Sequence, residues 1–242
     1  MVEAVLFDGD QTLWDFQRVM QYALEQVLLE LQAVRPGRLT TALSTRDLAA
    51  HRQQVVDEIG NEEFSWAELR QLGFARTVEQ LREADNTTTL DDDAALVSIL
   101  TASYFHHRDI DPALFPDTRP CLEALQSRYR LGLLSNGSRL PGTIGLGDVF
   151  DPVVFAQDHH IAKPDVGIFR IVESLMGLDP ESLVLVGDHP LNDVVGAKRA
   201  GWRAVWIDRD GRGPFVAPAG FEHQPDAVIT SLEQLPHALD RL

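Results

Sequence analysis

The chain has 242 residues, 44% of them hydrophobic and 24% charged, with a formal net charge of −16 at pH 7 and one cysteine. That length and apolar content suffice for one large domain or a core with a smaller companion, while the lone Cys121 excludes a disulfide framework and any cysteine-built zinc site. The scattered basic residues speak against a nucleic-acid surface, no apolar stretch is long enough for a membrane span, and Glu3, Asp8 and Asp10 spoil any signal peptide, so the expectation is a cytoplasmic protein.

The first predicted element is a strand from about Val2 to Phe7, and it ends on two carboxylates, Asp8 and Asp10. From about Phe16 to His107 the pattern turns helical: "FQRVMQYALEQVLLELQAV" sets Val19, Ala23, Val27 and Leu31 at intervals of four, and three further amphipathic stretches follow. Turn and cap signals at Pro36-Gly37, Ser44-Thr45, Gly60-Asn61 and Asp91 to Asp93 divide this block into about four helices without a strand. From Ala113 the texture changes to short apolar runs between amphipathic segments. The reading is a helix at Thr118–Tyr129, strands at Leu131–Ser135 and Pro152–Phe155, a helix at Asp165–Met176, a strand at Leu183–Gly187, a helix at Leu191–Ala200 and a strand at Ala204–Ile207. Ala227–Ile229 and a helix over Ser231–Leu242 would close the series.

Strands alternating with helices predict an α/β fold, a Rossmann-like and mostly parallel sheet with helices on both faces. The first strand cannot satisfy its backbone alone and belongs with the later ones. The helical block is therefore an insertion: residues 1–14 and 113–242 would form the core, and 15–112 an all-helical domain.

In an open α/β sheet, ligands bind beyond the carboxyl ends of the strands. The residues there are Asp8 and Asp10, the run Ser135-Asn136-Gly137, Lys163 in "IAKPD", and Asp188 with Asp193. No Gly-rich nucleotide loop competes. Clustered carboxylates without cysteine or a histidine constellation call for a hard cation, Mg²⁺ being the best match. Such a metal beside a Ser, a Lys and backbone N–H groups suits a phosphoryl group attacked by a carboxylate, with a second carboxylate as acid and base.

"FDGDQTL" resembles the D-x-D-x-[TV] signature of the haloacid dehalogenase superfamily, and "LLSNGS", "AKPD" and "GDHPLNDVVGAKRAG" resemble its second, third and fourth motifs, in order. The resemblance runs from residue 7 to about 201, with the helical insertion where the family carries a helical cap. It implies that Asp8 is the nucleophile and a Mg²⁺ ligand, and that Asp10 is the acid/base and reaches the metal through its carbonyl. Ser135 would bind the phosphoryl group with backbone N–H groups near Asn136 and Gly137, and Lys163 would stabilise charge. Asp188 would ligate the metal, and Asp193 would act through water or by orienting Lys163.

Taken singly, Ser135 or Asp188 reads as a turn or cap residue, and Lys163 as a loop charge; the ordered set argues for chemistry. The pairs His106-His107 and His159-His160 read as exposed or capping groups, because adjacent helical residues do not face each other. Trp66, Phe74, Tyr104 and Phe105 read as core of the insertion or as its face against the sheet. Trp14 and Asp15, at the hinge, are candidates for substrate contact. Arg52, Arg70 and Arg76 could meet an anionic substrate tail, solvated helix faces being the plainer reading for each.

Within the resembled family, the second Asp of the first motif argues against a dehalogenase, which has no leaving alcohol to protonate. The insertion contains no lysine for Schiff-base phosphonate chemistry. The expectation is a Mg²⁺-dependent hydrolase of a small phosphorylated metabolite, with no nucleic-acid or membrane partner and with oligomeric state left open. A sugar phosphomutase and a catalytically silent binding or regulatory protein on the same fold stand as alternatives.

Overall fold

The computed structural model describes residues 1–59, 64–85 and 91–242, so the Gly60-Asn61 turn signal and the Trp66 side chain lie outside the described residues. The described chain divides into two compact units, Met1–Phe16 with Asp111–Leu242, and Gln17–Ile110.

The first unit is built on six strands: β1 (Ala4–Phe7), β2 (Arg130–Ser135), β3 (Val153–Phe155), β4 (Leu183–Gly187), β5 (Arg203–Ile207) and β6 (Ala227–Ile229). They form one sheet in the order β3-β2-β1-β4-β5-β6, and every neighbouring pair is parallel. Period-two alternation sends successive side chains to opposite faces. Val5, Phe7, Leu133, Val184, Val186, Val205 and Ile207 enter one core cluster, and Ala4, Leu6, Leu134, Leu183, Leu185, Ala204 and Trp206 the other. Both faces are thus apolar, which is why these strands read as continuous hydrophobic runs.

Chain order reverses on either side of β1, so the crevice between β1 and β4 is the topological switch point, where an open α/β sheet binds its ligands. Phe7 is in register with Leu133 of β2 and Val186 of β4, so the residues following all three strands emerge side by side.

The second unit contains α1 (Phe16–Val34, whose first residue belongs to the first unit), α2 (Arg38–Ala42), α3 (Thr45–Ile59), α4 (Trp66–Asp85) and α5 (Asp91–Arg108). The spacing-four row of α1 is its buried face, and Val27 and Leu31 join Leu48, Phe74, Val78, Leu100 and Tyr104 in one core. No described helix is long and apolar enough to cross a membrane.

Three predicted helices in the first unit come out differently. The first, α6, ends at Leu125 instead of Tyr129, because the N–H groups of Arg128 and Tyr129 both turn back to the Leu125 carbonyl and free Arg130 for β2. After α7 (Ala156–His159), α8 (Val166–Met176) is capped by the Asp165 carboxylate on the N–H of Gly167. The stretch after β4 starts as a π-helical turn, Pro190–Val195, before the short α9 (Gly196–Ala200). The chain's end is a 3₁₀ turn, Leu232–Gln234, then α10 (Leu235–Leu239), instead of one helix from Ser231.

Candidate active site

Asp8 follows the last residue of β1 and its N–H still bonds Val186 of β4 at 2.9 Å, so the strand itself aims this carboxylate. The next residues form a tight turn in which Gly9 offers its carbonyl to the N–H groups of Thr12, Leu13 and Trp14 and Gln11 takes a left-handed conformation, φ 61°. The turn returns Trp14 over Asp10, and the indole Nε1–H donates to Asp10 Oδ1 at 2.6 Å.

Lys163 is buried and its ammonium donates to Asp8 Oδ1 and Asp193 Oδ1, each at 2.7 Å. Asp193 Oδ2 accepts from the His189 N–H at 2.9 Å, so both of its oxygens are engaged. Gly187 makes this approach feasible: a Cβ there would collide with the Asp193 carboxylate. Burial works against the Lys163 charge, but Asp193 and Asp8 outweigh it and hold the ammonium above the usual lysine range.

Asp8, Asp188 and Asp193 each present a carboxylate oxygen within 4.8 Å of the others. Burial pushes Asp8 above the usual carboxylate range despite Lys163, with Asp193 and Asp10 adding to it. Burial and then Asp193 push Asp188 up to about 7, against the pull of Arg212. One ammonium therefore does not balance the carboxylates, and an all-oxygen set short of positive charge is what a hard divalent cation fits.

Ser135 ends β2, and its Oγ accepts from the Gly137 N–H at 3.0 Å. A Cβ on Gly137 would sit 2.9 Å from Asp10 Oδ2, so this glycine lets the β2 loop close on the second carboxylate. The structure thus brings together Asp8, Asp188, Asp193 and Lys163 in one cluster, and Asp10, Ser135 and Gly137 in another arising from the same strand ends.

Two side chains among these act on their neighbours. Asn136 uses its side chain on main chain: Nδ2 donates to the Lys163 carbonyl and Oδ1 accepts from the Lys163 N–H, both at 2.9 Å, so it fixes the backbone that carries the ammonium. Trp14 is 1% exposed with its indole N–H engaged by Asp10, so it orients that carboxylate. Asp15 is half-buried, and its N–H bonds the Ala113 carbonyl at 2.9 Å. His106, His159 and His160 are exposed, and Phe74 and Tyr104 lie in the second unit's core. Arg76 is half-buried and paired with Glu58 and Glu79.

Sequence reasoning missed Arg209 and Asp117. The Arg209 Nε and Nη2 groups donate to the Thr12 carbonyl at 3.1 and 2.7 Å, and the fork grips both oxygens of Asp117 at 3.0 Å. Asp117 also accepts from Ser231 Oγ and the Leu232 N–H. Burial alone would raise the Asp117 carboxyl, but Arg209, Leu232 and Ser231 outweigh it and hold it below the usual range. A depressed folded value gives stability present above the unfolded pKa, about 3.9, and lost as pH falls through the folded one. Asp117→Asn, which leaves Arg209 unpaired, is accordingly expected to cost about 3 kcal/mol at pH 7. Urea titrations of both proteins should show that gap shrinking below about pH 4; a gap independent of pH would place the effect in packing instead.

The parallel sheet thus gathers carboxylates, a lysine and a serine on the strand ends and following loops beside its switch point. Residues 2–201 match the family model described as haloacid dehalogenase-like hydrolase, and the chain belongs to that family. A phosphoserine phosphatase of Thermus thermophilus is 36% identical over 143 residues, 56% of this chain and 55% of that protein, so the chain spans little more than half of that relative's length. A glyceraldehyde 3-phosphate phosphatase of Methanopyrus kandleri is 27% identical over 97% of this chain and 96% of that one. Among solved structures, a 2-haloacid dehalogenase of Pseudomonas syringae superposes with a TM-score of 0.67 at 30% identity, covering 100% of this chain and 99% of that one. The protein is a hydrolase with phosphatases among its relatives.

Proposed function

We propose that this hydrolase cleaves a small phosphomonoester through an aspartyl-phosphate on Asp8. The observation that carries the reading is Asp10: a second carboxylate on the same turn, oriented by Trp14 and set against the Ser135 loop, which a reaction with a leaving alcohol needs. Asp8 attacks phosphorus, an Asp8 oxygen to phosphorus bond forms as the bond to the alcohol oxygen breaks, and Asp10 gives that oxygen its proton. Asp10 then takes a proton from water as the water oxygen attacks phosphorus and the carboxylate of Asp8 leaves. Ser135 and the neighbouring N–H groups hold the non-bridging oxygens, and Lys163 stabilises charge on Asp8 and the phosphoryl group. Asp8, Asp188 and the Asp10 carbonyl would hold a Mg²⁺ ion, with Asp193 fixing Lys163 and closing the carboxylate set; when bound, the ion neutralises carboxylate and phosphoryl charge. The helices of residues 17–110 act as a specificity cap in this reading, in a cytoplasmic enzyme.

The test is a panel of phosphomonoesters and 2-haloacids, followed by release of phosphate and of halide. Phosphate release is expected, abolished by EDTA and restored by Mg²⁺. Halide release without phosphate release would make the enzyme a dehalogenase. Isomer formation outpacing phosphate release would make it a mutase.

A further inference from the structure

Asp188 follows the last residue of β4, and two side chains from the end of β5 converge on its carbonyl. The Trp206 indole N–H donates to that oxygen at 2.8 Å and Arg212 Nη2 at 3.0 Å, so both of its lone pairs are used. Trp206 pairs with Gly187 in the register of β4 and β5, which sets its indole beside the residue that follows. The same peptide unit is held at its other edge, where the His189 N–H donates to Asp193 Oδ2 at 2.9 Å. A peptide is planar, so with β4 fixing the chain on one side and this unit fixed on the other, the backbone torsion that aims the Asp188 side chain is set.

The loop after β5 is shaped to deliver this arginine. Buried Asp208 accepts from the main-chain N–H and the Nε of Arg212, each at 3.0 Å, and from the Gly213 N–H at 3.1 Å. Gly211 and Gly213 take left-handed φ values of 67° and 98°, so the run "DRDGRG" turns on both sides of Arg212. The guanidinium lies over the Trp206 ring, 5.1 Å from its centre, and Phe215 meets that ring edge-on. An exposed arginine that serves only as surface charge contributes little and loses side-chain freedom when pinned. This one spends its free end on a carbonyl, while Nη2 stays 4.0 Å from Asp188 Oδ2, beyond hydrogen-bond distance. The contrast is Arg209 in the same loop, whose fork takes both oxygens of Asp117. Arg212 thus holds the backbone of Asp188 and leaves the carboxylate to a cation.

We infer that Arg212 is a positioning residue for the cation site, an assignment that rests on the reading of Asp188 as a Mg²⁺ ligand. With Trp206 it fixes the peptide between Asp188 and His189 and so sets the Asp188 carboxylate against Asp8 and Asp193. Charge alone predicts the opposite sign. A guanidinium repels a nearby cation, so removing a mere charge would tighten Mg²⁺ binding, whereas removing the grip on Asp188 loosens it.

Titration of the metal-free protein with Mn²⁺, followed by the electron paramagnetic resonance of the free ion and repeated with Mg²⁺ as competitor, reads this without turnover. Arg212→Met keeps an apolar chain over Trp206 and is expected to weaken binding of both ions about 10-fold, the scale on which metal sites respond to loss of a group that orients a ligand. Arg212→Lys retains the charge but cannot span Asp208 and the Asp188 carbonyl together, and its affinity should fall between the two. Because Arg212 is exposed, both variants should melt in EDTA close to wild type. A large melting loss alongside the weaker binding would make the arginine structural and overturn the assignment. Equal or tighter binding by Arg212→Met overturns it as well, leaving a surface charge. A wild type that binds neither ion overturns the metal reading and this inference with it. In hydrolysis of p-nitrophenyl phosphate, Arg212→Met should need more Mg²⁺ for half-saturation by the same factor while kcat at saturating Mg²⁺ stays near wild type. Absence of turnover in a wild type that binds Mn²⁺ would count against the phosphatase reading alone.

Discussion

Asp8→Asn is expected to abolish turnover, lowering kcat by about four orders of magnitude or more, in a protein that stays folded. An amide is not a nucleophile toward phosphorus and offers no anionic oxygen to a cation. The substitution is nearly isosteric, and Lys163 keeps its 2.7 Å bond to Asp193, so the ammonium is not stranded. The Asn136 clamp on the Lys163 backbone is untouched, and with it the geometry of the β2 and β3 loops. Burial, with Asp193 and Asp10 adding to it, works against the charge on Asp8, so replacing it by a neutral amide removes that cost and the melting temperature in EDTA should hold or rise. The measurement is phosphate release beside thermal unfolding. Because an asparagine ahead of Gly9 is prone to deamidation back to aspartate, Asp8→Ala belongs in the same assay; near-wild-type turnover by the alanine variant would end the mechanism proposed here.

The strands were legible to within one or two residues because each is a short apolar run closed by a polar or glycine break: Leu183–Gly187 is the same in sequence and structure, and β1 loses only Val2 and Glu3. Legible for the same reason were the strand-end residues Asp8, Ser135 and Asp188, since a run that stops on a carboxylate or hydroxyl announces where the sheet stops. Pairing across the fold was not legible. Arg209 reaches Thr12 over a separation of 197 residues and Asp117 over 92, and nothing in the local pattern of "IDRDGRG" marks one arginine from the next. Asn136 was noticed as part of a phosphate-binding turn, but its side chain engages main chain 27 residues on, a partner visible only once β2 and β3 lie side by side. The bond from Trp14 to Asp10 spans four residues and looks local, yet it depends on the left-handed Gln11, which no propensity favours at glutamine. The helical ends were over-extended because hydrophobic periodicity does not register a change from α to 3₁₀ or π hydrogen bonding.

Asp10→Asn is expected to separate the two half-reactions. The Trp14 Nε1–H must find an oxygen in the variant as it does in wild type, at 2.6 Å, so the asparagine presents its carbonyl oxygen there. Its NH₂ then takes the place of Oδ2, on the side of Gly137 and Ser135, where it can neither give up a proton to an alcohol nor accept one from water. With p-nitrophenyl phosphate the leaving group needs no proton, so phosphorylation of Asp8 proceeds and a burst of nitrophenolate equal to the enzyme concentration appears. Hydrolysis of the aspartyl-phosphate lacks its base, and the steady-state rate falls on the order of 10²–10⁴-fold. An alkyl phosphate, whose alkoxide cannot leave unprotonated, should show neither burst nor turnover. Trp14→Phe, which frees the carboxylate without altering it, should lower both half-reactions about tenfold by loss of orientation, with no accumulation of phosphoenzyme. Equal losses of burst and steady-state rate in Asp10→Asn with the aryl substrate would assign Asp10 to holding the turn after β1, and the acid and base would have to be sought elsewhere among the strand-end residues.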